Sequence, residues 1–131
     1  MEIFEGNLSH LPFPSHIFDR VFVCGNYYKW NNPLHVLVET YRILAPGGMM
    51  VTTLDISALQ KEKKKASPRS PMKTANIDPV AYMHSLETAG FADVNICYLS
   101  HANNLSYQAI FAYASIDRED THLNIEEETT R

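Results

Sequence analysis

Runs of apolar residues along the chain predict an alternation of strands and helices. The near-continuous apolar run at 18–24 is typical of a strand buried on both faces, as in a parallel sheet. Further strands are predicted at 49–54, around 94–98 and at 107–114. Ile3 and Phe4 are interpreted as the end of one more strand that precedes them all.

Two helices are predicted between these strands, each with its own start and stop signals. The Asn-Pro pair at 32–33 and the Asp-Pro pair at 78–79 each combine a capping side chain with a proline at the first helical position. Pro-Gly-Gly at 46–48 and Gly90 are expected to end the two helices. The apolar faces are Leu34, Leu37, Val38, Tyr41 and Leu44 in the first helix, and Val80, Met83 and Leu86 in the second.

The order of these elements predicts the fold class. Strands that alternate with helices indicate an α/β sandwich with a mostly parallel sheet. No helix separates the last two strands, only the polar segment 100–106, so the final strand is expected to run antiparallel.

Charge separates the chain into parts. Residues 61–73 carry six basic side chains and one acidic one, whereas residues 117–131 carry six acidic and two basic ones. Neither segment has helical periodicity or aromatic residues. We therefore predict one domain over residues 1–115, a basic inserted loop at 60–76 and a flexible acidic tail at 116–131.

Composition limits the cellular setting. No apolar run approaches the length that crosses a bilayer, and the N-terminus has no secretion signal, so an intracellular protein without a membrane partner is expected. Cys24 and Cys97, the two cysteines, are interpreted as buried free thiols. The cytoplasm is the expected compartment. The basic run at 61–65, with Ser-Pro pairs after it, resembles a nuclear localisation signal, so the nucleus is the alternative.

Three motifs in a fixed order resemble the class I S-adenosylmethionine-dependent methyltransferases, especially their small-molecule branch. They are Glu-Gly-Asn-Leu-Ser-His-Leu-Pro-Phe at 5–13, Phe-Asp at 18–19, and Tyr-Arg-Ile-Leu-Ala-Pro-Gly-Gly at 41–48. The resemblance covers residues 2–114. It implies a Rossmann-like sheet whose last strand is antiparallel, with the first two strands of the family lacking a counterpart here.

The resemblance also implies S-adenosylmethionine as the cofactor. In the family a glycine-rich turn after the first strand approaches the methionine part, and an acidic residue after the second binds the ribose. The five glycines of this chain, at 6, 25, 47, 48 and 90, form no such cluster. Binding of the cofactor by this chain alone is therefore expected to be weak or absent.

Four residues are candidates for binding the cofactor, two of them by resemblance to the family. Asn7 and Leu8 match the position where a side chain and a backbone amide read the adenine edge, with asparagine replacing the usual aspartate. A simple turn residue is the alternative interpretation of Asn7. Cys24 and Gly25 end the predicted strand at 18–24, at the edge where ligands of open α/β sheets collect, although Gly25 equally suits a strand-ending turn.

Three further residues are candidates for facing the substrate. Asn26 and Tyr28 follow the strand at 18–24, and Asp55 follows the strand at 49–54, where it either faces substrate or caps a loop. The histidines and cysteines lack the spacings of a metal site, so no metal is predicted. No catalytic residue is assigned, because methyl transfer is an in-line displacement that depends largely on positioning.

Two functional hypotheses follow. The first is a methyltransferase that transfers a methyl group from S-adenosylmethionine to a small-molecule acceptor. The second is a truncated, non-catalytic methyltransferase-like module that acts through a partner. An acidic net charge of −4 argues against nucleic acid as the partner. Self-association, or a partner at an exposed sheet edge, is expected in either case.

Overall fold

The structure of the chain, a computed structural model, describes residues 1–24, 27–58, 79–101 and 104–117. The predicted basic loop at 60–76, the helix-capping Asp78 and residues 118–131 of the predicted tail lie outside the described residues. Four strands and two helices make up the described domain, with a single turn of 3-10 helix at Tyr27–Lys29. In chain order they are β1 (Phe18–Cys24), α1 (Pro33–Ile43), β2 (Leu44–Asp55), α2 (Pro79–Ala89), β3 (Ala92–His101) and β4 (Asn104–Tyr113).

The strands form one sheet in the order β1-β2-β4-β3. β1 pairs with β2 in parallel, and β4 lies between β2 and β3 and is antiparallel to both. The first three strands therefore share one direction and only the last opposes them. This arrangement confirms the predicted α/β class, with a sheet that is mostly but not purely parallel.

α1 begins, and α2 ends, as the sequence predicts. The Asn32 side chain accepts a hydrogen bond from the His35 amide at 3.3 Å, and Pro33 occupies the first turn of α1. α2 ends where Gly90 adopts a φ of +118°, and the Phe91 amide donates back to the Leu86 carbonyl. A Cβ at Gly90 would lie 3.1 Å from the Tyr41 ring, so glycine is required here by both conformation and space.

Three boundaries differ from the prediction. α1 ends at Ile43, before the Pro-Gly-Gly segment, and β2 already includes that segment. Backbone amides of His16 and Ile17 donate to the carbonyls of Arg42 and Ile43, which satisfies the end of the helix without a glycine. The predicted polar loop at 100–106 was too long, because β3 and β4 continue pairing as far as His101 and Asn104.

The prediction of a strand at Ile3 and Phe4 was wrong for this structure. A strand needs a hydrogen-bonded neighbour, and none of the described strands pairs with these residues. Their side chains are 86% and 57% exposed, and the Phe4 ring meets the Phe13 ring edge-on with centroids 5.3 Å apart.

The core lies between the sheet and the two helices. One buried cluster combines Leu37 of α1 and Leu86 of α2 with Met50 of β2 and Ile110 of β4. Val80, predicted to face the core, is 66% exposed, and Tyr82 is buried instead. None of the described helices is long and apolar enough to cross a membrane.

The opposite face of the sheet carries the residues that alternate with the core positions. Val21 and Val23 pack against the core, so Phe22 between them points to the other face, where it is 68% exposed. The same alternation places Cys24 and Cys97 on that face. Both thiols are free and exposed, which corrects the expectation that they are buried.

Candidate functional site

The carboxyl ends of β1 and β2 meet at one edge of the sheet. Because the two strands are parallel, with Cys24 opposite Thr53, their last residues Cys24 and Asp55 end on the same side. Both are exposed. The Asp55 carboxylate accepts a hydrogen bond from the Ala58 amide at 3.2 Å, so it caps the helical residues 56–58 that follow β2. That Asp55 faces the substrate stays a prediction.

Three other predicted site residues follow β1 in the sequence, and the structure does not place their side chains. Gly25 and Asn26 lie outside the described residues. Tyr28 belongs to the 3-10 turn that follows them, but its side chain lies outside the part of the chain that is described. Their assignment to the cofactor and the substrate therefore stays a prediction.

Asn7 and Leu8 form a tight turn on the approach to β1. The Asn7 side-chain oxygen accepts a hydrogen bond from the Ser9 amide at 2.8 Å, and its backbone carbonyl accepts one from the His10 amide at 2.9 Å. This geometry is that of a turn residue, the second interpretation of Asn7. It leaves the other lone pair of the side-chain oxygen for a further donor, so the two interpretations are compatible.

An apolar groove of about 390 Å³ connects this turn with β1. Its walls come from the segment after the turn, from β1, from Trp30 and from α1. The lining residues are Leu8, Leu11, Phe13, Phe18, Arg20, Val21, Phe22, Val23, Trp30, Val36, Thr40 and Ile43. A second hollow of about 210 Å³ on the other side of Leu8 is lined by Asn7 and its neighbours. The volume of the groove is in the range of small-ligand sites, which is about 300–1,000 Å³.

A charged pair on α1 holds the segment that forms one wall of the groove. Arg42 and Glu39 make two hydrogen bonds of 2.8 Å to each other. The Glu39 carboxylate also accepts from the Leu11 amide at 2.6 Å, and Arg42 donates to the Leu11 carbonyl at 3.2 Å. The hydrogen bond from Arg42 lowers the pKa of Glu39, against a smaller opposing effect of burial. In the sequence Arg42 belongs to the motif at 41–48, and its three-residue spacing from Glu39 on a predicted helix was the signal for an ion pair.

A buried polar network fixes the chain just after β1. The Tyr27 hydroxyl donates to the Gln108 side chain at 3.1 Å, and the Tyr27 ring stacks on Tyr82 with centroids 4.1 Å apart. Tyr82 in turn shares a 2.7 Å hydrogen bond with Thr52, and burial raises the pKa of its hydroxyl. Tyr27 was not among the predicted site residues, because nothing in the sequence reveals that Gln108 lies opposite it.

Within the described ranges, no three side chains of His, Cys, Asp and Glu come together as metal ligands would. The arrangement offers a turn with free acceptor capacity, an apolar groove beside it and exposed polar ends of two parallel strands. Such a site suits a flat apolar ring with polar edges, held against a reactive group at the sheet edge.

The related sequences carry methyltransferase descriptions. A methyltransferase-domain family model matches residues 1–52. The uncharacterized methyltransferase YdaC of Bacillus subtilis is 26% identical over 106 residues, which is 81% of this chain and 54% of YdaC. A demethylmenaquinone methyltransferase of Lysinibacillus sphaericus is 39% identical over 51 residues, or 39% of this chain and 22% of the relative. This chain thus spans about half the length of YdaC.

Solved structures share the fold at low sequence identity. An S-adenosylmethionine-dependent methyltransferase of Thermotoga maritima, a candidate histamine N-methyltransferase, superposes with a TM-score of 0.60 at 20% identity, covering 84% of this chain and 62% of that one. One from Aquifex aeolicus gives 0.60 at 18% identity, covering 86% and 54%. The family match and the shared fold agree with the resemblance drawn from the ordered motifs: residues 1–52 are similar to a methyltransferase domain, and the described fold is similar to that of S-adenosylmethionine-dependent methyltransferases.

Proposed function

We propose that this chain supplies the adenine-binding side and the acceptor-facing edge of a methyltransferase that uses S-adenosylmethionine. One observation carries the proposal: Leu8 lines both the groove along β1, the strand whose carboxyl end carries Cys24, and the smaller hollow that Asn7 lines. The turn would contact the adenine ring, and the exposed ends of β1 and β2 would face the reacting methyl group and its acceptor.

The groove, together with Asn7 in the neighbouring hollow, fits the adenine end of this cofactor. The ring is flat and apolar on both faces, and the groove walls are mostly aliphatic and aromatic. The adenine amino group is a donor, and the Asn7 side-chain oxygen has a lone pair left after its bond to Ser9. The Leu8 amide supplies a donor for a ring nitrogen. These contacts are neutral hydrogen bonds and apolar packing, as expected for an uncharged ring.

The rate of methyl transfer depends more on positioning the methyl donor and acceptor than on acid–base chemistry. The cofactor, when bound, supplies an electrophilic methyl group for an in-line displacement. This chain contributes by holding the adenine end at the turn and by shaping the edge at Cys24 and Asp55. A base is required only for an acceptor that must lose a proton, and we assign none. Asn26 and Tyr28 stay candidates for contacting the acceptor.

We propose a small molecule as the acceptor. The chain has a net charge of −4, which does not favour association with nucleic acid. The alternative of a non-catalytic module is not favoured, because the two relatives and two solved structures described above carry methyltransferase names.

Substitution of Asn7 tests the proposal. The chain is joined to the first two strands and their helices from a relative, which bring the glycine-rich turn and the ribose-binding acidic residue, so that both sides of the site are present. Asn7→Ala should then weaken S-adenosylmethionine binding about 2- to 10-fold, which corresponds to the ~0.5–1.5 kcal/mol of one neutral hydrogen bond. Isothermal titration calorimetry measures the dissociation constant.

A matched control is Asn95→Ala, which removes another exposed asparagine whose side chain bonds to a backbone group two residues away. This change should leave cofactor binding unaltered. An unchanged dissociation constant for Asn7→Ala, with the fold intact, would make Asn7 a turn residue only.

A further inference from the structure

We propose that Glu39 and Arg42 are positioning residues for the cofactor, because together they clamp the Leu11 backbone and so set the Asn7–Leu8 turn. The proposal rests on the proposed function and adds to it the part of α1 that controls the adenine side. Neither side chain is placed in contact with the cofactor. Their effect is transmitted through the three residues that connect Asn7 to Leu11.

Glu39 and Arg42 together form hydrogen bonds with both backbone polar groups of Leu11. The Leu11 amide donates to Glu39 and the Leu11 carbonyl accepts from Arg42, with distances of 2.6 and 3.2 Å. Arg42 also donates to the Ser15 hydroxyl at 3.2 Å. These contacts join residues 27 to 31 positions apart, so they fix the segment on α1 and do not merely stabilise the helix.

The hydrogen bonds of the turn lead directly to the residue that Glu39 and Arg42 hold. Asn7 is bonded to the amides of Ser9 and His10, and the next residue is the clamped Leu11. Residues 1–8 are all exposed, so burial contributes little to holding the turn. Anchoring Leu11 therefore limits the conformations of the turn, and a preformed turn loses less entropy when it binds a ligand.

The charges are suited to this role. The side chain of Glu39 is 15% exposed and that of Arg42 is 34% exposed, so water competes only in part for the bonds to Leu11. Hydrogen bonds to ionised groups are stronger than neutral ones. The charged and titratable groups around Glu39 are Arg42 on its own helix and His10 on the segment it holds, and both favour the ionised carboxylate.

Amide hydrogen exchange on the full chain tests the clamp. Glu39→Gln keeps the shape of the side chain but removes its charge, and Arg42→Lys keeps a charge but loses the paired donors. Both should speed exchange of the Leu11 amide about tenfold and shift the NMR signals of the Ser9 and His10 amides. Glu87→Gln is the control, because Glu87 is 60% exposed on α2 with His84 4.0 Å away.

S-adenosylhomocysteine, added to the same samples at about millimolar concentration, tests the link to the cofactor. The unsubstituted chain should show shifts at the Leu8 and Ser9 amides. Glu39→Gln should weaken this binding several-fold, whereas Glu87→Gln should not, at equal thermal midpoints for the two variants. This comparison separates a positioning role from a general loss of stability.

The outcomes distinguish the clamp from the function on which it rests. Unchanged Ser9 and His10 signals in both Glu39→Gln and Arg42→Lys would overturn the clamp, whatever the ligand does. A loosened turn with unaltered S-adenosylhomocysteine binding would overturn the positioning role. Absence of any ligand shift in the unsubstituted chain would count against the proposed adenine site, and exchange at Leu11 would then decide the clamp alone.

Discussion

Tyr27→Ala is expected to lower the free energy of unfolding by about 3–5 kcal/mol, the range for truncating a large buried aromatic side chain. Tyr27 is 1% exposed, its ring stacks on Tyr82, and its hydroxyl donates to Gln108. Alanine would leave a cavity against Tyr82 and an unpaired oxygen on Gln108. Because Tyr27 anchors the chain directly after β1, the same change should also disturb the sheet edge that we assign to the acceptor.

Tyr27→Phe is the matched control, because it retains the ring and removes only the hydroxyl. Gln108 is 5% exposed and would lose a buried donor, which should cost about 1–3 kcal/mol. Urea denaturation followed by circular dichroism gives both values, provided that the slope with denaturant is unchanged. A loss below about 1 kcal/mol for Tyr27→Ala would show that the stacked pair does not stabilise the core.

The chain is also expected to self-associate at micromolar concentration through β1. Among the described strands, only β2 pairs with β1, so the outer edge of β1 has no described neighbour. Phe22 is 68% exposed in the middle of that strand. An open edge with exposed apolar side chains favours pairing with another chain. Phe22→Lys should therefore shift the chain toward the monomer, because lysine on an edge strand opposes such pairing.

Val38→Lys provides the comparison, since Val38 is 50% exposed on α1, away from the strand edge. Size-exclusion chromatography with light scattering measures the mass of each variant, and circular dichroism records its thermal unfolding. Val38→Lys should associate like the unsubstituted chain. A soluble monomer with a sharp cooperative transition, obtained without any substitution, would contradict this interpretation of the edge.

Sequence periodicity predicted most of the fold because its signals are local. The apolar run at 18–24 and the capped stripe after Asn32 each depend on a few neighbouring residues, and the structure has β1 and α1 there. The end of α1 was misplaced because tertiary hydrogen bonds from His16 and Ile17 end it, not Pro-Gly-Gly. The thiols were misassigned because an apolar strand was assumed to be covered on both faces, whereas Cys24 and Cys97 lie on the exposed one.

The candidate site was predictable only where it depends on strand direction. Parallel strands bring Cys24 and Asp55 to one edge, and this follows from the order of elements. The clamp of Glu39 and Arg42 on Leu11 joins segments about 30 positions apart, and a single sequence carries no sign of such a contact. The same holds for Tyr27 and Gln108, which are 81 positions apart.

The central claim is that this chain holds one side of an S-adenosylmethionine site, with the glycine-rich side to be supplied. Its most direct test is calorimetric titration of S-adenosylmethionine into the chain alone and into the chain joined to a glycine-rich unit from a relative. We predict no binding at micromolar cofactor for the first and micromolar affinity for the second. Micromolar binding by the chain alone, or none by the folded, joined protein, would contradict the claim.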